Sequence, residues 1–330
     1  MKIAVVILNW NGRALLEEFL PSVVQNSKEA TVYVADNAST DDSIAYVEKE
    51  FPNIKIVQNN ENGGYAKGYN DALSQIDADI YCLLNSDVEV TPNWLSPIIK
   101  EFSDSEKTAA AQPKILDYKK KTHFEYAGAA GGFIDKLGYP YCRGRIFDTI
   151  EEDKGQYNYS TPIFWATGAC LFIRKDVFEK VGKLDEDFFA HQEEIDLCWR
   201  IQNHGYTIMY LSDSTVYHLG GATLDTMNPK KTYLNFRNNL YLLIKNVRKS
   251  HLWFVILIRL ILDGLAGAKY LFEGKFPHFI AVIKAHFSFY RNFNTFIKKR
   301  KKLSKTGKYY SIFSVVWQYF ILKRKHFNQL

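Results

Sequence analysis

The first 115 residues alternate between short apolar runs and segments in which apolar residues recur every three or four positions. Five runs have the length and composition of buried strands: Ile3–Leu8, Thr31–Ala35, Ile54–Val57, Ile80–Leu84 and Thr108–Gln112. Helices are predicted in the intervals, at Arg13–Val24, Ser43–Phe51, Gly64–Ile76 and Asn93–Phe102. Pro21 is expected to end or kink the first helix. This alternation predicts an α/β fold with a doubly wound, mostly parallel sheet.

Residues 116–235 have a different pattern. The stretch 116–165 is rich in Gly and Tyr, which indicates hairpins and loops that form the second wall of a cleft. Two more helices are predicted at Arg174–Val181 and Glu193–His204, and two short strands at Ile208–Leu211 and Ser214–Tyr217.

The C-terminal region is helical and basic. The run Trp253–Leu262 is interrupted only by Arg259, and it has about half of the ~20 residues that a membrane-spanning helix needs. Residues 231–330 contain 20 of the 42 Lys and Arg but only two of the 36 acidic residues, Asp263 and Glu273. Such asymmetry predicts an anionic partner, either a membrane surface or a nucleic acid.

Several classes of protein are disfavoured by the rest of the sequence. Its four cysteines are widely spaced, which argues against a zinc site or a disulfide framework and indicates a reducing compartment. The apolar start Met1–Leu8 is too short for a signal peptide. No P-loop motif and no G-x-G-x-x-G after the first strand are present, so an ATPase or dehydrogenase is not expected.

Short polar clusters follow four of the predicted strands: Asn9–Gly12, Asp36–Asp41, Asn59–Gly64 and Asn85–Asp87. Each alone is an ordinary turn. Because the carboxyl ends of parallel strands meet at one edge of a sheet, together they predict a polar rim suited to a ribose, a base edge and phosphates. The Gly63-Gly64 pair before a helix allows an anion to approach the helix amides.

Two further clusters carry chemistry. Asp87 ends a strand and could hold a hard divalent cation, and His218, in His218-Leu219-Gly220-Gly221, could close on the same cation. Glu193, Glu194 and Asp196 lie in the first turn of a predicted helix, where they either favour the helix dipole or supply a general base. Glu194 points roughly 100° away from the face shared by the other two.

In this order and spacing, these segments resemble the family 2 glycosyltransferases. The resemblance covers about residues 1–245 and looks closest to bacterial rhamnosyltransferases of surface-polysaccharide assembly. It rests on Asn9–Gly12; Asp36, Asn37, Ser39 and Asp41; Asn62, Gly64, Gly68 and Asn70; Asn85 and Asp87; Thr167–Ala169; Glu193, Glu194, Asp196, Leu197 and Arg200; His218, Gly220 and Gly221; and Arg237 and Asn238.

The resemblance implies a GT-A fold and inverting transfer of a sugar from a nucleotide diphosphate donor to a hydroxyl. It maps the base to Glu194, with Glu193 and Asp196 beside it, and metal binding (Mg²⁺ or Mn²⁺) to Asp87 and His218. Trp165 and Gly168 would lie on the acceptor side. Donor contacts are expected from Asn9, Asp36, Asn37, Asn62, Gly64, Asn70, Asn85 and Arg237.

This sequence departs from the family pattern twice. The metal motif Asn85-Ser86-Asp87 has one acid where many relatives have two, and the mapped base is Glu, one methylene longer than the usual Asp. Metal binding is therefore expected to depend more on His218 or to be weak.

We therefore expect a catalytic domain at 1–235, with a nucleotide-sugar half at 1–115 and an acceptor half at 116–235. Residues 236–330 are predicted to attach to the cytoplasmic face of an anionic membrane as a peripheral or monotopic helical region. The expected donor is dTDP- or UDP-linked, the acceptor a glycan or lipid-linked glycan, and no nucleic acid is expected. The alternatives are a sugar nucleotidyltransferase and a non-enzymatic nucleotide- or nucleic-acid-binding module.

Overall fold

The computed structural model describes residues 1–220, 228–300 and 309–330. Gly221 of the His218 motif and Lys301 and Lys302 of the basic region lie outside the described residues. The strands are β1 Ile3–Asn9, β2 Thr31–Asp36, β3 Lys55–Gln58, β4 Ile80–Asn85, β5 Val88–Val90, β6 Thr108–Asp117, β7 Gly132–Ile134, β8 Pro140–Cys142, β9 Arg145–Ile146, β10 Thr149–Ile150, β11 Thr161–Pro162, β12 Cys170–Arg174 and β13 Thr207–His218. The helices are α1 Arg13–Asn26, α2 Ser43–Glu50, α3 Gly64–Leu73, α4 Leu95–Asp104, α5 Lys175–Val181, α6 Glu193–Asn203, α7 Pro229–Asn246, α8 Lys249–Phe272 and α9 Phe276–Lys299.

A large mixed sheet forms the centre, in the order β3-β2-β1-β4-β12-β6-β13-β11, with β5 paired to β13. Strands β1 to β4 are parallel neighbours, as the alternating pattern predicts. Strand β12 runs antiparallel between β4 and β6. The register pairs Asn9 with Asp36, and Leu8 with Asn85, so the polar strand ends meet at one edge of the sheet.

At two places an element is longer than the sequence predicts. The expected short strands Ile208–Leu211 and Ser214–Tyr217 form one strand, β13, with an irregularity between Leu211 and Thr215. Helix α1 continues through Pro21 to Asn26. Buried Phe19, Leu20 and Val23 hold both sides of the proline against the sheet, so packing outweighs the lost backbone hydrogen bond.

A small antiparallel sheet, β7 to β10, lies beyond the central sheet, and residues 309–330 pack against it. Asp135, which follows β7, accepts a hydrogen bond from the backbone N of Val315 at 2.8 Å. The Phe327 ring lies 5.1 Å from the Phe133 ring. The end of the chain is therefore part of the folded body, although Lys323, Arg324 and Lys325 are exposed.

Helices α7, α8 and α9 form the C-terminal layer. Tyr241 of α7 stacks on Phe296 of α9, with ring centroids 3.7 Å apart. Lys245 at the end of α7 bonds to Asp185 at 2.5 Å and to Asp196 of α6 at 2.8 Å. The expected boundary between residues 235 and 236 falls inside α7, which belongs to both regions.

Candidate active site

The rim at the ends of β1 and β2 is a hydrogen-bonded unit centred on Asp36. Both carboxylate oxygens of Asp36 are used: Oδ1 accepts from Asn9 Nδ2 at 3.1 Å, and Oδ2 accepts from Ser39 N at 2.9 Å and Gln58 Nε2 at 2.7 Å. Asp36 and Asn9 are both buried. The predicted nucleotide contacts Asn9 and Asp36 are therefore neighbours, and Asn9 holds the Asp36 carboxylate in place.

A second polar unit joins the end of β2 to the start of α3. Asn37 Nδ2 donates to Asn62 Oδ1 at 3.0 Å and to the carbonyl of Gly64 at 3.2 Å. Asn62 Oδ1 also accepts from Gly64 N at 3.0 Å. Gly64 has φ +76, and a Cβ there would lie 2.7 Å from the carbonyl oxygen of Phe189. Only glycine fits at this contact.

Asn70 of α3 lies away from this rim and fixes another loop. Its Nδ2 donates to the carbonyl of Leu184 and to Glu186 Oε1, both at 2.9 Å, and its Oδ1 accepts from Leu184 N at 3.2 Å. The predicted donor contact Asn70 thus connects α3 to the segment that leads into α6.

Asp87, His218 and Glu125 form a buried cluster beside the end of β4. His218 Nε2 lies 3.1 Å from Asp87 Oδ1 and 3.4 Å from Asn85 Nδ2, and His218 Nδ1 lies 3.3 Å from Glu125 Oε1. Burial lowers the pKa of His218, but Glu125 and Asp87 outweigh it and raise the pKa to about 10. The structure thus brings together the two residues predicted to bind metal.

Tyr65 connects the Thr167–Ala169 segment to the loop before α6. Its hydroxyl donates to the carbonyl of Gly168 at 2.7 Å, and its backbone N donates to the carbonyl of Phe189 at 3.0 Å. Asn85 N donates to the carbonyl of Ala169, also at 3.0 Å. Burial, and then nearby groups that include Glu193 and Glu194, raise the pKa of Tyr65 well above its usual value.

The three acids at the start of α6 have different surroundings. Glu194 is half-buried, and burial raises its pKa to about 7. Glu193 is buried, and Oε2 has no hydrogen-bond partner among the described residues. Burial and then the neighbouring Glu194 raise the pKa of Glu193 well above its usual value. A carboxylate with a pKa near neutrality matches the requirement for a general base.

Asp196 is held by cations and an amide. Oδ2 contacts Arg200 Nε and Lys245 Nζ, each at 2.8 Å, and Oδ1 accepts from Asn246 Nδ2 at 2.8 Å. Burial alone would raise the pKa of Asp196, but Lys245 and Arg200 lower it to about 2. These contacts connect α6 to α7 through Asp196 and leave Glu193 and Glu194 as the acids with a raised pKa.

The loop before α6 has three non-glycine residues in left-handed conformations: Phe189 (φ +64), His191 (φ +71) and Gln192 (φ +72). Such residues need support from their surroundings. Asn238 of α7 supplies this support, because its Nδ2 donates to the carbonyl oxygens of Phe188, Ala190 and His191, all within 3.0 Å. Asn238 therefore fixes the start of α6, where Glu194 lies.

Arg237, predicted to contact the donor diphosphate, is tied to the same loop. Nη2 donates to the carbonyl oxygens of Phe188 at 2.9 Å and Asp187 at 3.2 Å, and Nε donates to Asn238 Oδ1 at 2.9 Å. Trp165, expected on the acceptor side, is buried and donates from Nε1 to the carbonyl of Phe133 at 2.8 Å. Its ring packs on Gly132.

Sequence reasoning missed Glu125, Tyr65 and the supporting role of Asn238. Glu125 stands among residues that indicate hairpins and loops, and Tyr65 fits the apolar face of α3, so neither had a distinctive spacing. Asn238 was part of the Arg237-Asn238 motif, which signals its position but not its contacts.

The sheet order and the polar strand ends define a GT-A glycosyltransferase fold. Residues 4–182 match the family model for Glycosyl transferase family 2, so the chain belongs to that family and is a glycosyltransferase. One relative, the N-acetylglucosaminyl-diphospho-decaprenol L-rhamnosyltransferase of Mycobacterium tuberculosis, is 26% identical over 65% of this chain and 75% of its own length. The dTDP-rhamnosyl transferase RfbF of Shigella flexneri is 22% identical over 74% of this chain and 81% of its own.

Solved structures share the fold. Staphylococcus aureus TarS 1-349, solved with UDP-GlcNAc, aligns with a TM-score of 0.55 at 16% identity, covering 95% of this chain and 100% of its own. The mannosyltransferase PcManGT of Pyrobaculum calidifontis, solved with GDP-Man and Mn²⁺, aligns with a TM-score of 0.52 at 14% identity. The alignment covers 91% of this chain and 84% of PcManGT. The expected GT-A fold and rhamnosyltransferase-like family are confirmed.

Proposed function

We propose that this glycosyltransferase transfers a rhamnosyl or hexosyl unit from a dTDP- or UDP-linked donor to a hydroxyl of a lipid-linked glycan, with inversion, in cell-surface polysaccharide synthesis. The names of the two rhamnosyltransferase relatives support the donor and the acceptor class. The observation that carries the proposal is Glu194, the half-buried carboxylate of the α6 acid cluster, with its pKa near 7.

In the proposed reaction, Glu194 takes the proton of the acceptor hydroxyl while that oxygen bonds to the anomeric carbon. The bond from the anomeric carbon to the diphosphate oxygen breaks, and the nucleoside diphosphate leaves with that electron pair. One displacement inverts the configuration. Asn238 and Arg237 hold the loop before α6, and so keep Glu194 aimed at the acceptor.

The nucleotide half of the proposal rests on the rim at Asp36. A carboxylate has about four acceptor positions, and the three observed hydrogen bonds leave one position of Asp36 to accept from a base or ribose. Asn62 and Gly64, at the exposed start of α3, would lie near the phosphates.

The residues at the end of β4 fit a divalent cation. Asp87 and His218 are buried, with Asp87 Oδ1 and His218 Nε2 3.1 Å apart. A carboxylate suits Mg²⁺ or Mn²⁺, the added imidazole favours Mn²⁺ over Mg²⁺, and donor phosphates would complete the coordination. No group of three or more His, Cys, Asp or Glu able to hold a metal occurs in the part of the chain that the structure describes, so donor oxygens would have to complete the site. A bound cation would neutralise charge on the leaving diphosphate.

Membrane attachment is proposed for the α8–α9 hairpin. Within the described residues, α8 is the one helix that is long and apolar enough to cross a membrane. Its apolar surface faces outward: Trp253, Leu257, Ile261 and Leu265 are 59%, 58%, 53% and 63% exposed. Phe276, Ile280, Phe287 and Tyr290 extend this surface along α9.

The two charged residues in the middle of α8, Arg259 and Asp263, are buried and face the protein. Arg259 Nη2 lies 3.2 Å from Asp263 Oδ1, and the guanidinium lies 3.6 Å from the centre of the Tyr139 ring. Arg259 also donates to the carbonyl of Leu137 at 3.3 Å. Because these contacts fix one face of α8 to the body, we propose that the hairpin lies in one leaflet and does not cross the bilayer. Lys284 and Arg291 would meet anionic headgroups.

The function is tested by supplying dTDP- and UDP-linked sugars with a lipid-linked acceptor in anionic vesicles. The expected product is a glycan with the inverted anomeric configuration by NMR, formed only with a divalent cation. Glu194→Gln should form it about 10²–10⁴-fold more slowly with donor affinity unchanged. Retained configuration in the wild-type product would contradict the mechanism, and a water-soluble acceptor used equally well would contradict the lipid-linked acceptor.

A further inference from the structure

Glu125 is a buried carboxylate next to the predicted metal site. It lies in the segment that follows β6, and one oxygen, Oε2, accepts from the backbone N of Ala127 at 2.5 Å. The other oxygen, Oε1, lies 3.3 Å from His218 Nδ1. A Cβ on Gly220 would lie 2.9 Å from this Oε1, so the carboxylate fills a tight space beside the histidine.

The two ring nitrogens of His218 face different carboxylates. Nε2 faces Asp87, and Nδ1 faces Glu125. Nδ1 is buried, and no acceptor among the described residues is better placed than Glu125 Oε1 at 3.3 Å; a buried polar atom left without a partner is costly. The backbone of His218 is fixed independently, because its carbonyl accepts from Tyr118 N at 3.0 Å. The imidazole ring therefore lies between two carboxylates, with Asn85 Nδ2 also 3.4 Å from Nε2.

We propose that Glu125 is the positioning residue for His218: its Oε1 accepts the Nδ1 proton and so presents Nε2 to the divalent cation shared with Asp87. The inference rests on the proposed function, because it requires a cation at Asp87. Carboxylates that bind the distal N–H of a ligating histidine fix the tautomer and increase the basicity of the ligating nitrogen. Glu125 acts through His218 and is not itself a ligand.

The test compares two substitutions of Glu125 with a matched control. Glu125→Gln keeps an acceptor oxygen, and Glu125→Leu removes it at similar volume. The control is Glu151→Gln, which alters another buried acid of the same region, bonded to Tyr157 Oη at 3.1 Å. Mn²⁺ affinity is measured on the full chain with UDP, from the electron paramagnetic resonance signal of free Mn²⁺. The His218 ring nitrogens are followed by ¹⁵N NMR without metal.

We expect Glu125→Leu to weaken Mn²⁺ binding by roughly 10–100-fold and to change the Nδ1 resonance of His218. Glu125→Gln should lie closer to the wild type in both measurements, and Glu151→Gln should match the wild type. In activity assays, Glu125→Leu should raise the Mn²⁺ concentration needed for half-maximal rate more than it lowers the rate at saturating Mn²⁺.

Mn²⁺ affinity in Glu125→Leu equal to that of the wild type would overturn the inference. If Glu125→Leu does not fold, Glu125→Gln decides: an unchanged Nδ1 environment supports the inference, and a Nδ1 signal characteristic of an unbonded nitrogen overturns it. A wild-type protein that binds no Mn²⁺ with UDP would instead refute the proposed cation site, and with it the role assigned to Glu125.

Discussion

Replacing Glu194 by Gln tests the assignment of the base through stability as well as activity. Burial raises the pKa of Glu194 from 4.5 to about 7. A carboxyl group whose pKa is higher in the folded than in the unfolded state destabilises the protein when charged. This loss of unfolding free energy is absent well below pH 4.5, grows as the pH rises, and reaches its full value above about pH 7. Glu194→Gln removes this loss and should stabilise the protein at high pH.

The magnitude follows from the two pKa values. Each pKa unit corresponds to about 1.4 kcal/mol, so the charged carboxylate costs roughly 3 kcal/mol at pH 8 and roughly 1 kcal/mol at pH 5 before solvent screening. Because the Glu194 side chain is half-buried, screening reduces these values. The gain in unfolding free energy from Glu194→Gln should therefore be about 1–2 kcal/mol larger at pH 8 than at pH 5.

The assay is urea unfolding at pH 5 and pH 8, combined with the pH dependence of kcat/KM. Wild-type kcat/KM should rise through about pH 7 as Glu194 loses its proton, whereas the residual activity of Glu194→Gln should lack that step. Asp196→Asn is a control for which the opposite change in stability is expected. In the wild type the pKa of Asp196 is lowered to about 2, so its charged form stabilises the fold, and this variant should lose stability at both pH values. An equal stability change at pH 5 and pH 8 for Glu194→Gln, with no step in wild-type kcat/KM, would refute the reasoning.

Four other predictions concern the remaining parts of the site. Asp87→Ala, or EDTA added to the wild type, should abolish transfer and Mn²⁺ binding with UDP; full activity in either case would remove the cation from the proposal. Asn238→Ala leaves three carbonyl groups without their side-chain donor and should cost about 1–3 kcal/mol by urea unfolding and lower kcat more than donor affinity; unchanged kcat would show that the loop needs no such support. Asp36→Ala should weaken UDP or dTDP binding in calorimetry, and equal affinity would place the nucleotide elsewhere. Leu257→Gln with Leu265→Gln should reduce sedimentation with anionic vesicles at least about tenfold, whereas Val24→Gln, in the first helix, should not; equal binding would contradict the hairpin as the membrane surface.

The parallel half of the fold was predictable because its signals are local. The periodicity of apolar residues predicts β1 to β4 and the helices between them. Because these strands are parallel, the polar residues that end them lie at one edge of the sheet, and Asn9, Asp36 and Asn85 meet there as expected. The antiparallel position of β12 was not predictable, since it depends on pairing with β4 and β6 from distant parts of the sequence.

Neighbours within each polar cluster were predictable from the sequence, but contacts between distant segments were not. Helical geometry shows that Glu194 diverges from Glu193 and Asp196, whereas the contact of Lys245, on another helix, with Asp196 has no local signal. Helix α8 is longer than the apolar run Trp253–Leu262, because Arg259 and Asp263 pair with each other in the structure and the helix continues past them.

The double role of α7 has a consequence for engineering. The same helix supports the loop before Glu194 through Asn238 and stacks on α9 through Tyr241. A deletion of the hairpin after residue 245 would expose the face of α7 that α9 covers and remove the contacts of Lys299 with Asp185 and of Arg300 with the carbonyl of Ile244. Under the proposed membrane attachment, a soluble form of this enzyme is therefore better sought by replacing outward-facing apolar residues of the hairpin than by deleting it. The hairpin packs as part of the folded body and could not be exchanged between enzymes as a separate module.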